Sequence, residues 1–198
     1  GSLTRAQPAA PAPAAKSSAP AKELSADLII LGGSVGGCAA ALSAARAGLR
    51  VIMTEETDWI GGQLTSQAVP PDENSLIETV GGTKSYQAFR HGVRAYYTRH
   101  FPLTDAAKTN PALNPGNGSV SKLCHEPRVA LAVLTEMLAP HVATGRVQIF
   151  LHHTATSAQV SGDRVEAVLI RGAESGREFV LRAPLFVDAT ETDRKSVV

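Results

Sequence analysis

Apolar positions in this chain gather in short continuous runs instead of long stripes. Leu28-Ile29-Ile30-Leu31 ends at glycines, and Leu185-Phe186-Val187 repeats the pattern near the other end. Runs of this length without alternation predict parallel strands buried on both faces. Val51-Ile52-Met53 and Val147-Gln148-Ile149-Phe150 predict two more. Between the first strand and Val51, the small residues from Cys38 to Ala47 have high helix propensity and stop at Gly48, a residue suited to a left-handed C-cap. Strand, glycine turn, helix and strand predict one βαβ unit with a right-handed crossover.

Other segments follow different periods. Val129, Leu131, Val133, Leu134 and Leu138 have helical spacing, with Pro127 fit for the first turn, so a helix is expected over 128–138. Ala155 to Val160 and Val165 to Arg171 alternate around Ser161-Gly162-Asp163 and predict a β-hairpin, with Phe179 to Leu181 as a third strand. The stretch 70–127 is rich in Gly, Asn, Pro and Ser, with one helix expected from Tyr86 to His100, and reads as an insertion covering a site. Residues 1–25 are dominated by Ala, Pro, Ser and Lys and read as a disordered linker. Such tracts often follow a cleaved export signal, which makes a periplasmic or secreted location an expectation. No charged or apolar region of a signal accompanies it, and the compartment stays open.

Composition narrows the partners more than the fold. The chain has 198 residues, 43% of them hydrophobic, enough for one sizeable core. Its net charge is +1 with both signs interspersed, so nucleic acid and anionic membranes are discounted as partners. No apolar run is long enough to cross a bilayer. Cys38 and Cys124 share no CxxC spacing, so no zinc or iron–sulfur site is implied and no metal is expected. Each reads as a buried small hydrophobe, and a disulfide between them is left open.

The candidate chemistry lies in the turn after the first strand. Gly32-Gly33-Ser34-Val35-Gly36-Gly37 matches G-x-G-x-x-G, with Ser34 in the second glycine's place. Gly32 permits the tight turn and Gly37 lets helix and strand pack closely. A helix starting near Val35 would aim unpaired N–H groups and its dipole at a dinucleotide pyrophosphate. Glu55, with Glu56 beside it, closes the second strand about twenty residues on. A carboxylate there accepts from ribose hydroxyls and repels a 2′-phosphate, which favours FAD or NAD over NADP.

The run Asp27 to Gly37, followed by Glu55 and then Trp59-Ile60-Gly61-Gly62-Gln63, resembles the FAD-dependent oxidoreductases of the glutathione-reductase-like fold. It is most similar to a bacterial group whose glycine loop often carries Ser or Thr at that second position. Leu113-Asn114-Pro115-Gly116, Leu123-Cys124-His125-Glu126-Pro127 and Phe186-Val187-Asp188-Ala189-Thr190-Glu191 also resemble that group. The resemblance implies an α/β, Rossmann-like FAD-binding domain over 26–192: a parallel sheet with helices and an inserted β-hairpin or meander, incomplete at its C-terminus. It implies that Gly61, Gly62 and Gln63 approach the diphosphate and flavin, and that Val147 to Phe150 passes near the adenine. Asp188, Ala189 and Thr190 would return beside the dinucleotide. The implied activity moves a hydride or electron pair between an organic substrate and flavin, with substrate and acceptor unidentified. An NAD-linked dehydrogenase and a non-catalytic dinucleotide-binding module are the alternatives.

The remaining polar residues do not name a catalyst. Gln63-Leu64-Thr65-Ser66 stands where thiol–disulfide reductases of this fold place a cysteine pair, which disfavours dithiol chemistry. His152 and His153 are adjacent at a strand end and would point to opposite faces. His125 is read as a hydrogen-bonding structural residue, with a flavin-facing role as the alternative. Arg90, Arg94, Tyr96 and Tyr97 share one helical segment and read as packing and a solvated face. From Asp193 to Val198 the family pattern is lost, and these residues read as a non-native tail on a fragment inactive by itself.

Overall fold

A computed structural model describes residues 21–191. The expectations for residues 1–20 and 193–198 lie outside it. Four strands, β2 (Leu28–Leu31), β3 (Val51–Thr54), β4 (Val147–Phe150) and β8 (Leu185–Asp188), form an all-parallel sheet in the order β4-β3-β2-β8. The expected burial on both faces holds for the central strands β2 and β3, whereas the edge strands β4 and β8 are only partly buried and Leu185 is exposed. Ile30 and Met53 face the larger core with Leu28 and Val51, while Ile29 and Ile52 face the smaller one, so alternate residues of one strand serve two cores.

Helices cover the first face. The helix α1 (Val35–Arg46) begins at Ser34, whose hydroxyl accepts from Gly37 N at 3.2 Å, and Gly48 follows it with φ of 94°. Its buried stripe of Cys38, Ala41, Leu42 and Ala45 is small, which lets the helix lie close to the sheet. The helix α4 (Pro127–Ala143) has Pro at its first turn as expected and runs past the expected end, through Pro140. α4 packs against both α1 and α2 (Lys84–His100), whose N-cap Thr83 accepts from Tyr86 N at 3.2 Å. A short α3 (Asp105–Lys108) follows it.

Two expectations change here. The segment 70–127 is not a cover laid over the domain: Phe89, Val93 and Tyr97 of α2, with Leu123, belong to the main core beside α1 and α4. The helix expected from Tyr86 to His100 is present, and its apolar residues, recurring every fourth position, make it part of the core instead of a cover. Arg90 and Arg94 do not form a solvated face either. They are 0% and 8% exposed and pair with acids from the preceding loop.

The second face of the parallel sheet is covered by a four-stranded sheet, in the order β1-β7-β6-β5. The expected hairpin and third strand are β5 (His153–Ser161), β6 (Arg164–Gly172) and β7 (Glu178–Arg182), paired antiparallel as a meander. Its inward residues Val168, Ile170 and Leu181 meet Ile29 and Ile52. The fourth strand, β1 (Lys22–Ser25), corrects the linker boundary at 25, since it pairs parallel with β7. Four residues with a single apolar one, beside an Ala/Pro-rich stretch, carry too little signal to read as a strand.

Candidate functional site

The turn after β2 is a backbone construction. Gly32 has φ of 99°, and a Cβ there would strike the Ala189 carbonyl. A Cβ on Gly37 would strike the Gly32 carbonyl, which is the close helix–strand approach expected of that glycine. Ser34 departs from the glycine pattern without strain, because its φ is −57°, a value open to any residue. Its hydroxyl folds back to cap α1.

Glu55 is 6% exposed, so it is not a solvated strand-end acid. Its Oε2 accepts from Gly33 N at 3.0 Å, and its Oε1 accepts from Thr57 N at 2.8 Å and Thr57 Oγ1 at 2.7 Å. A carboxylate has about four acceptor positions. Three are taken, which leaves one lone pair on Oε2. Thr54 supports the same turn by accepting from Gly32 N through Oγ1 at 3.3 Å.

A cavity of about 190 Å³ opens at the carboxyl ends of β2, β3 and β8. Of the residues expected at a site, Gly32, Gly33, Ser34, Glu55, Ala189 and Thr190 line it, as does the exposed Glu56. Val35, Gly36 and Gly37 stand behind it in the first turn of α1. Gly61 and Gly62 are not in the wall but are bound to it: Gly61 N donates to Gly33 O at 2.6 Å, and both have left-handed backbone, with φ of 107° and 44°. Gln63 N donates to Glu191 Oε1 at 3.3 Å. Asp188 holds the opposite rim in shape, accepting from Thr190 N at 3.0 Å and Thr190 Oγ1 at 2.7 Å. Sequence reasoning missed Thr57, Gln67, His153 and Glu191 in this wall. Glu191 was within reach, being next to Thr190 in the same run, whereas His153 arrives from β5 and only the fold brings it there.

The cysteines are both free and buried, which closes the disulfide alternative. Burial pushes the Cys38 thiol up to about 12, so it is an inert packing residue and no thiolate nucleophile. His152 is not in a strand as expected but in the turn before β5, with φ of 57°; its Nε2 meets Asp58 at 2.8 Å, while the His153 ring packs edge-on against Phe150. No group of three metal-ligating side chains occurs among the described residues. No helix among them is long and apolar enough to cross a membrane.

The family model described as FAD dependent oxidoreductase matches residues 27–192, from the start of β2 to just beyond the Ala189–Thr190 rim. The chain belongs to the FAD dependent oxidoreductase family. The family's cofactor is FAD, in agreement with the dinucleotide turn. Solved structures share the fold at low identity. Mycobacterium smegmatis Sdh1 in complex with UQ1 is 17% identical, with a TM-score of 0.54 over 85% of this chain and 34% of that one. The myxobacterial chondrochloren halogenase CndH, a variant of the FAD-dependent halogenases, is 20% identical, with a TM-score of 0.53 over 85% of this chain and 38% of that one. Glycerol-3-phosphate dehydrogenase from Bacillus halodurans, complexed with FAD, is 14% identical with a TM-score of 0.50, over 84% and 34%. Among curated protein sequences none matches the chain. The family member thus spans about a third of the length of these structures.

Proposed function

We propose that this chain holds FAD at the carboxyl ends of β2 and β3 as part of a flavin-dependent oxidoreductase. The observation that carries the reading is the cradle at Gly32 and Gly33. The Ala189 carbonyl leaves no room for a Cβ on Gly32, and a Cβ on Gly33 would push the Glu55 carboxylate aside, while the backbone of both stays at the cavity wall. A turn this bare lets a diphosphate come close to the amides of Ser34, Val35 and Gly36 at the start of α1. No Lys or Arg lines the cavity, whose charged residues are Glu55, Glu56 and Glu191. Phosphate charge would therefore be met by backbone N–H groups and the N-terminal end of α1. Such a wall accepts a diphosphate held by amides and rejects an added 2′-phosphate.

The residues divide the work by chemistry. Ser34, Val35 and Gly36 supply amides, those of Gly32, Gly33 and Gly37 being given to Thr54, Glu55 and Ser34; Glu55 has one free lone pair on Oε2 for a ribose hydroxyl; Gly61, Gly62 and Gln63 form the turn that supports Gly33. Asp188, Ala189 and Thr190 keep the opposite rim in place. FAD, when bound, supplies the two-electron chemistry, and the protein supplies binding and orientation. The test is reconstitution of the purified chain with FAD and with NAD, followed by flavin fluorescence and the visible spectrum. Quenched, protein-bound FAD is expected, with Glu55→Ala weakening it about tenfold, as loss of one charged hydrogen bond requires. Preferential NAD binding by a folded chain, or a folded chain that stays colourless, would overturn the reading.

A further inference from the structure

The cofactor cavity is smaller than the ligand proposed for it. Its volume is about 190 Å³, whereas sites for drug-sized ligands run from roughly 300 to 1,000 Å³, and a dinucleotide is no smaller than those ligands. One wall must therefore give way. Much of the wall is fastened by the fold. Ala189 N donates to the Leu31 carbonyl at 2.7 Å, His153 N donates to the Glu55 carbonyl at 2.9 Å, and Gly33 N is held by the Glu55 carboxylate. At one end the closure is instead a contact between exposed side chains: the Gln67 amide donates to Glu191 Oε2, beside the exposed Ser66.

Behind that contact lies backbone. The Glu191 carboxylate rests against Gly62, where a Cβ would strike it, and its Oε1 accepts from Gln63 N at 3.3 Å. Gly62 is buried, although Ser66, Gln67 and Glu191 around it are exposed. The group that closes this end is also poorly suited in charge to remain there. Glu191 joins Glu55 and Glu56 in a wall without Lys or Arg, so an entering diphosphate meets a third negative charge. Among the described residues, two neutral donors hold the carboxylate. At an exposed position water competes for both bonds, so opening costs little.

We infer that Glu191 is a gate on the cofactor cavity: closed, its carboxylate covers the Gly62–Gln63 turn with Gln67 as latch, and it swings aside to admit FAD. The inference rests on the FAD reading above. It is tested on the full chain by FAD titration and stopped-flow fluorescence, with amide hydrogen exchange at Gln63 measured in the absence of cofactor. Glu191→Ala is expected to tighten FAD about fivefold, chiefly through faster association, since a hydrogen-bonded contact no longer has to break first. Exchange at Gln63 should rise in the same variant. Glu191→Gln, which keeps an acceptor and removes the charge, should fall between the parent and Glu191→Ala. Equal or weaker FAD binding by a folded Glu191→Ala overturns the gate and leaves the FAD reading intact, as does unchanged exchange at Gln63. Absence of FAD binding in the parent and the variant alike overturns both. If Glu191→Ala does not fold, Glu191→Gln decides by the same comparison with the parent.

Discussion

The cavity at the ends of β2, β3 and β8 and the charged cluster on α2 are both polar, but they are built of different material. The first is made of backbone: glycines without room for a Cβ, capped amides and one carboxylate that Gly33 and Thr57 hold in place. The second is made of side chains, with Arg90 and Arg94 from one helix meeting Glu73 and Glu78 from the loop before it. A backbone-built site demands particular residue types at fixed spacing. A side-chain-built site asks only that suitable charges meet in the folded chain.

This difference can be broken by mutation, and the largest effect belongs to the side-chain site. Arg90→Met strands the Glu73 charge in the interior and is expected to cost about 3–5 kcal/mol in urea unfolding. Adding Glu73→Leu should recover most of that, because the pair is then replaced by apolar packing. A single variant as stable as the parent would mean that the cluster is wetter than its burial shows.

Next comes the backbone site. Gly37→Ala drives a methyl group at the Gly32 carbonyl and should cost about 1–3 kcal/mol, with FAD affinity falling alongside. Loss of stability without loss of FAD would separate the turn from the cofactor. Ser34 sharpens the point at lower cost. Ser34→Ala removes the α1 cap and should cost about 1 kcal/mol, whereas Ser34→Gly, which restores the full glycine pattern, should cost only a few tenths. Equal losses in thermal melts would show that the hydroxyl is not acting as a cap.

The smallest effect is a pH dependence. Burial holds the His125 imidazole below its usual 6.5, so the unfolded chain takes up a proton first as pH falls. The stability this residue contributes is therefore complete above pH 6.5 and is lost as pH drops through the lower folded value. His125→Phe should flatten that part of a melting-temperature curve. A curve of unchanged slope would assign the pH dependence to other groups.

The same contrast explains what could be read from the residues alone. Leu28 to Leu31, the glycine turn, α1 and Glu55 were legible because period, glycine positions and spacing agree with one another. The β5–β6 hairpin was legible from its alternation and turn. The strand β1 was not, since Lys22 to Ser25 gains its meaning only from β7. Arg90 and Arg94 look like any solvated helix face until Glu73 and Glu78 arrive beside them. His153 reaches the cavity wall from β5 through tertiary contacts that no local pattern encodes, whereas Glu191 lay one step along the run that ends at Thr190.

The pairing of β2 with β8 has a consequence in time. Leu28 stands beside Leu185, and the Gly32 turn is completed by the Ala189 carbonyl, so the two halves of the cavity wall come from opposite ends of the family segment. During synthesis the glycine turn leaves the ribosome before β8 and Ala189 and must wait for them before its wall closes. Contacts so distant in sequence are slow to form, and the half-made parallel sheet offers bare strand edges in the meantime. The proposed FAD site is complete only once β8 has paired with β2, so the supply of cofactor is expected to govern how much finished protein survives and to have little influence on the earlier steps of folding.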